Sequence, residues 1–174
     1  SISVAGSDLN LGISLADNFK FPFLVANPRD FWHNWHISLS TWLRDYLFIP
    51  LGGSHGPRAF VARNLMITML LGGLWHGASW NFVLWGGFHG AWLVVHRVYV
   101  ENGFATAIEK RLGGVSYKTV AWLIFTALTV FGWIIFRCSQ SAEQLVTALS
   151  ALAHPSLAFN LRPANMRWIA CAFL

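Results

Sequence analysis

The chain is 174 residues long, 55% hydrophobic and only 11% charged, where a soluble domain carries roughly 25% charged residues. Twelve basic and seven acidic side chains cannot supply the polar shell of a soluble globule this size, which excludes that class and indicates an integral membrane protein. The net charge of +5 is scattered, with no basic run of the kind a nucleic-acid arm shows, so the expected partner is membrane lipid and not nucleic acid.

In chain order, residues 1–26 lead into an amphipathic segment. Asn27 suits an N-cap, Pro28 the first helical position, and Asp30 the positive end of the helix dipole. Phe31, Trp35, Leu39, Trp42 and Tyr46 recur at helical spacing and form an aromatic stripe. This predicts a helix over 27–49 lying in the interface or half-buried against membrane spans, stopping before Pro50 and turning at Gly52-Gly53. The whole unit covers 27–53.

The longest stretch free of Asp, Glu, Lys and Arg follows, 33 residues over 64–96. A single helix of that length would run about 50 Å, too long for a hydrocarbon core of about 30 Å. Gly72, Gly73 and Gly77 mark the cheapest break, so a broken helix pair is expected over 59–97. A second uncharged run of 18 residues, 119–136, fits one span. A third begins near Met166 and is cut off at 174. Arg58, Arg63, Arg97, Lys110, Arg111 and Lys118 flank the helix pair, which makes that side cytoplasmic by the positive-inside rule. With no initiator Met and an apolar run at the end, both ends read as cut from a longer protein. The expected fold is all-α, multi-span, with an interfacial helix and an intramembrane cavity.

His36, His76, His89 and His96 lie in apolar surroundings. An ionisable group at membrane depth is costly and is a functional hypothesis by default. Burial favours the neutral imidazole, which can accept a proton as a general base. His76 sits in Gly72-Gly73-Leu74-Trp75-His76-Gly77-Ala78-Ser79-Trp80, where small residues allow close approach and Trp75 and Trp80 can wall a cavity. On residue type alone, a histidine that bonds a carbonyl and plugs a helix break is the simpler reading. His33 can share a helix face with His36, but no third ligand is evident, so no metal site is expected. His89 and His96, seven apart, can serve as haem or metal ligands only with partner histidines that the sequence does not supply at matching spacing. Gly86 and Gly90 form a small-xxx-small helix-packing face. Arg44 and Asp45 form a local ion pair, or Arg44 holds a phosphate or acidic sugar at a cavity mouth. Cys138 and Cys171 make no framework. No phosphate loop, dinucleotide fingerprint, zinc-protease motif or nucleophile elbow is present.

The run Asp30-Phe31-Trp32-His33-Asn34-Trp35-His36-Ile37-Ser38-Leu39-Ser40-Thr41-Trp42-Leu43-Arg44-Asp45-Tyr46-Leu47-Phe48-Ile49-Pro50-Leu51-Gly52-Gly53 closely resembles the signature of the membrane-bound O-acyltransferase family. Arg63-Asn64, the Gly72–Trp80 run and Trp85-Gly86-Gly87-Phe88-His89-Gly90 match as well. The likeness is greatest to the bacterial branch that includes the alginate O-acetylation protein. It extends to the segment from Ser7 to Pro22 and to Gly132-Trp133-Ile134-Ile135-Phe136-Arg137. The chain departs from the pattern at His33-Asn34, where two basic residues are usual, and near Ala16-Asp17, where the lead-in is shortened. The family's upstream spans lie outside the sequence, so this stretch alone is expected to be inactive.

The resemblance implies a multi-pass protein of the bacterial inner membrane that moves an acyl group, acetyl first, from a thioester to a hydroxyl. It makes His76 the catalytic residue and His36 a second residue near the same cavity, with Trp75, Trp80, Ser38, Arg44 and Asp45 as candidate lining or substrate contacts. Acetyl-CoA is the implied donor, with no bound cofactor. An exported polysaccharide such as alginate, or a cell-wall glycan, is the implied acceptor, served by extracytoplasmic acetyltransferase partners. A non-catalytic relay for a separate transferase and a His-ligated haem or metal protein are the alternatives.

Overall fold

A computed structural model of the chain describes residues 17–137. The start near Met166, both cysteines and most of the lead-in lie outside the described residues. Among the described residues all regular structure is helical, apart from one isolated bridge between Phe19 and Trp35.

Helix α1 is Pro28–Asn34. The Asn27 side chain accepts from the Asp30 backbone N–H at 2.9 Å and donates to the Asp30 carboxylate at 2.8 Å, so cap and first turn hold each other. The sequence expectation of one helix over 27–49 is corrected here. The chain leaves the helix at Trp35, takes a left-handed conformation at His36 (φ 43°), and restarts as α2, Ile37–Leu43. The break comes from a distant segment. Asn18 accepts the Ile37 N–H on its backbone oxygen at 3.0 Å, and its side-chain oxygen accepts the Ser38 N–H at 3.0 Å and the Ser38 hydroxyl at 2.6 Å. Lys20 N–H donates to the Asn34 oxygen at 2.9 Å. Residues 18–20 thus satisfy backbone groups that helix ends leave open. Beyond α2 the chain widens into a π-helical turn, Arg44–Phe48, before Pro50.

Helices α3, Arg58–Leu74, and α4, Trp80–Glu101, run antiparallel and form the main packing unit. Their approach is backbone to backbone. A Cβ on Gly73 would strike the Phe82 carbonyl oxygen, and one on Gly86 would strike the Met69 carbonyl oxygen. Glycine is needed where two helices close to this distance. Gly90 lies against Met66 and Met69, so the Gly86–Gly90 face packs as its spacing implies. At the far end of the pair Glu101 binds Arg97 at 2.6 Å and Arg58 at 3.1 Å, which pins the start of α3 to the end of α4. Asn64, fully buried on α3, donates to the Gly53 oxygen at 3.2 Å and holds the glycine turn against the pair.

Helix α5, Phe104–Leu112, is short and amphipathic. Helix α6, Gly114–Arg137, packs along α4 and ends beside the α3–α4 turn. Among the described residues α6 alone is long and apolar enough to cross a membrane by length and composition, with a mean hydropathy of 2.1. Helix α3, with 17 residues, is about 25 Å long at about 1.5 Å per residue.

The core is aromatic. Phe31, 2% exposed, stacks on Trp35 and His89 and touches Phe125. It is the point at which α1, α4 and α6 meet.

Candidate functional site

His76 lies in the turn between α3 and α4. Its N–H donates to the Gly73 oxygen at 3.0 Å, and Gly77 follows at φ 152°, a conformation that suits glycine. The imidazole is half-buried and ringed by aromatics from three parts of the chain. Ring centres lie 5.0 Å away at Trp75, 6.0 Å at Phe82, 5.4 Å at Trp85 and 5.0 Å at Phe136. Trp85 and Phe136 both present edge-on geometry to it. Phe136 comes from the last turn of α6, 60 positions further along the chain, and no local sequence pattern identifies it.

His36 is brought to the same place by the break between α1 and α2. The Trp75 indole meets both histidines, at 6.2 Å from His36 and 5.0 Å from His76. The His36 Nδ1 is buried and has no hydrogen-bond partner among the described residues. The structure therefore unites two of the expected site residues around Trp75.

The other candidates are placed differently. Trp80 opens α4 with 80% of its surface exposed, and the wall expected of it is built instead by Phe82 and Trp85. The Ser38 hydroxyl is committed to Asn18 and organises the helix break. Arg44 and Asp45 pair with each other at 2.8 Å in an exposed position on the π-helical turn. The Arg44 hydrogen bond holds the Asp45 carboxyl below its ordinary range, and the carboxylate raises the guanidinium in return.

His89 fills the aromatic core, 4.7 Å from Trp85 and stacked on Phe31, with α6 closing over it at Gly132. No three of His, Cys, Asp and Glu converge on a metal-sized site among the described residues.

A cleft of about 730 Å³ runs between the α1–α2 arm and the α3–α4 pair. Arg29, His33, Arg44, Arg97, Glu101 and Thr68 line it, and Arg97 and Glu101 form an ion pair. Trp32 forms its inner wall and touches Trp85 at 5.8 Å, and Trp85 in turn touches His76. Two indoles separate the cleft from the histidine pair.

The described residues define a helical protein with one membrane-length helix and a half-buried histidine in the turn of a glycine-packed pair. Residues 5–135 match the model of the membrane-bound O-acyltransferase family, and the chain belongs to that family. It is 43% identical over 135 residues to a probable alginate O-acetylase of Azotobacter vinelandii, covering 78% of this chain and 25% of that protein. The corresponding protein of Pseudomonas fluorescens is 39% identical over 171 residues, 97% of this chain and 32% of its own length. A peptidoglycan O-acetyltransferase of Helicobacter pylori is 42% identical over 147 residues, 84% of this chain and 26% of its own length. The chain thus spans a quarter to a third of the length of the curated relatives it matches.

Proposed function

We propose that the full-length protein is a multi-pass membrane O-acyltransferase that moves an acetyl group from a thioester, acetyl-CoA, to a hydroxyl of an exported polysaccharide or cell-wall glycan. The observation that carries this is the His76 turn: an imidazole held among four aromatic rings, with His36 across a shared indole. The names of the relatives, an alginate O-acetylase and a peptidoglycan O-acetyltransferase, support the glycan acceptor.

A hydroxyl is a poor nucleophile until its proton is taken. Neutral His76 accepts that proton as the oxygen attacks the thioester carbonyl. The new C–O bond forms, the carbonyl becomes an oxyanion, and collapse breaks the C–S bond, with the proton passed to the departing thiolate. The His36 imidazole, whose Nδ1 has no hydrogen-bond partner among the described residues, donates to the oxyanion in this reading. Arg44 is paired with Asp45 and Arg97 with Glu101, so Arg29 is the lining arginine left to meet a phosphate of the donor.

Arg58 and Arg97 on the α3–α4 pair, with Lys110 and Arg111 on α5, mark the cytoplasmic side. His76 lies at the opposite end of the α3–α4 pair. Extracytoplasmic acetyltransferase partners would meet the protein there.

The test is ester-linked acetate on surface glycans in the native host, comparing wild type, deletion and His76→Ala at equal membrane abundance. The substitution should lower transfer by about 10²–10⁴-fold, the contribution of a general base. Loss in the deletion alone, with His76→Ala fully active, would make the protein a relay whose chemistry lies elsewhere. Acetate unchanged in both would mean the acyl group or acceptor is wrong.

A further inference from the structure

Trp32 sits where the cleft ends and the aromatic packing around His76 begins. It belongs to α1, three positions after Arg29, and both residues line the cleft. That spacing puts guanidinium and indole on one face of the helix, about 4.5 Å apart along its axis at about 1.5 Å per residue. The Trp32 ring stands edge-on to Trp85 at 5.8 Å and to His89 at 5.4 Å. Trp85, itself buried, reaches the His76 ring at 5.4 Å. Leu43 and Met69, also buried, complete the inner wall of the cleft.

One polar atom in this wall is unmatched. The Trp32 Nε1 is buried and has no hydrogen-bond partner among the described residues. Its ring neighbours Phe31, Trp85 and His89 meet it through ring contacts and do not accept its proton. A buried indole N–H ordinarily has an acceptor. Packing alone would be served by a phenylalanine, and Phe31 beside it fills the core in just that way. An indole at the end of a cleft brings a donor to a place that a ligand can enter.

The inference rests on the reading of acetyl-CoA as the donor. Such a molecule carries an amide carbonyl a few bonds from its phosphate, then a second amide, then the thioester. With a phosphate at Arg29, that first carbonyl falls about one helical turn further along α1, at Trp32. The rest of the arm then has the two ring steps of 5.8 Å and 5.4 Å to cover before its thioester reaches His76. The cleft also holds Arg97 and Glu101, at the cytoplasmic end of α4 in the proposed topology, which is the side that supplies CoA and not an exported glycan.

We propose that the Trp32 Nε1–H donates to an amide carbonyl oxygen of the donor's pantetheine arm, so that Trp32 is a substrate-binding residue that directs the thioester past Trp85 to His76. The ring is only half-buried, and a turn about its two χ angles brings the N–H into the cleft.

The experiment uses the full-length protein in lipid vesicles and measures the Kd for CoA together with KM and kcat for acetyl-CoA. Trp32→Phe keeps a ring against Trp85 and His89 and removes the donor. Replacing Trp32 by its benzothiophene analogue removes the N–H at the original ring size, and it decides the matter if Trp32→Phe fails to fold. Either change should raise the Kd and the KM about fivefold, the effect of one neutral hydrogen bond, with kcat lowered by less than about twofold. An unchanged Kd, or a lower kcat at unchanged KM, would make Trp32 a packing residue and overturn the assignment. A wild-type protein that binds no CoA would overturn the donor reading and this inference together. The Kd is read without catalysis, so an active His76→Ala protein would end the role of His76 and leave the Trp32 result standing.

Discussion

Gly73→Ala is a small substitution with a large expected effect. The added Cβ would meet the Phe82 carbonyl oxygen inside any real carbon–oxygen contact distance, with the Phe82 carbonyl carbon at 3.1 Å and the Gly86 Cα at 3.2 Å. All three obstacles are backbone, so no side chain can rotate away. Helices α3 and α4 must separate, by roughly 1 Å, at a cost of about 1–3 kcal/mol for an overpacked interface. Gly73 also accepts the His76 N–H, so the turn moves with the helix. A displacement of about 1 Å at reacting groups costs about 10²-fold in rate. Gly87→Ala is the matched control, since its Cβ would meet only a Leu70 methyl at 3.6 Å. The assay is thermal stability of the purified full-length protein together with glycan acetate at equal membrane abundance. Gly73→Ala should lose both and Gly87→Ala neither. A Gly73→Ala protein as stable and active as wild type, or a Gly87→Ala protein equally damaged, would refute the backbone-contact reasoning.

Two further predictions concern the break between α1 and α2. His36→Gly removes the imidazole at a left-handed position where glycine is at ease, so stability should stay within about 1 kcal/mol while transfer falls by about 10²-fold, as for loss of one oxyanion donor; loss of folded protein with normal turnover per molecule would instead make His36 structural. Asn18→Ala removes the acceptor of the Ser38 N–H and hydroxyl, costing about 1–2 kcal/mol locally. Hydrogen exchange at residues 37–39 should then speed up and transfer should fall, although Asn18 has no place among the rings around His76. Unchanged exchange at Ser38 would show that the clip is not what holds the break.

Local chemistry made part of this protein legible. Charge-free runs and clustered glycines set apart the helix pair and its turn, because apolar length and helix breaks are properties of neighbouring residues. The same locality made His76 visible as a candidate. The aromatic stripe did not disclose that its helix is broken, because the cause is Asn18, which caps Ser38 from 20 positions away. Nor did it disclose that Trp80 stands in the open while Phe136 takes a place beside His76. Hydrophobic period fixes which residues lie on an apolar face, but not which of several aromatic residues meets a given ring. That choice belongs to the antiparallel closure of α3 on α4 at Gly73 and Gly86 and to the docking of α6 beside them. Hydrogen bonds from residues 18–20 bring His36 to that turn, and side-chain packing of α6 on α4 brings Phe136 there.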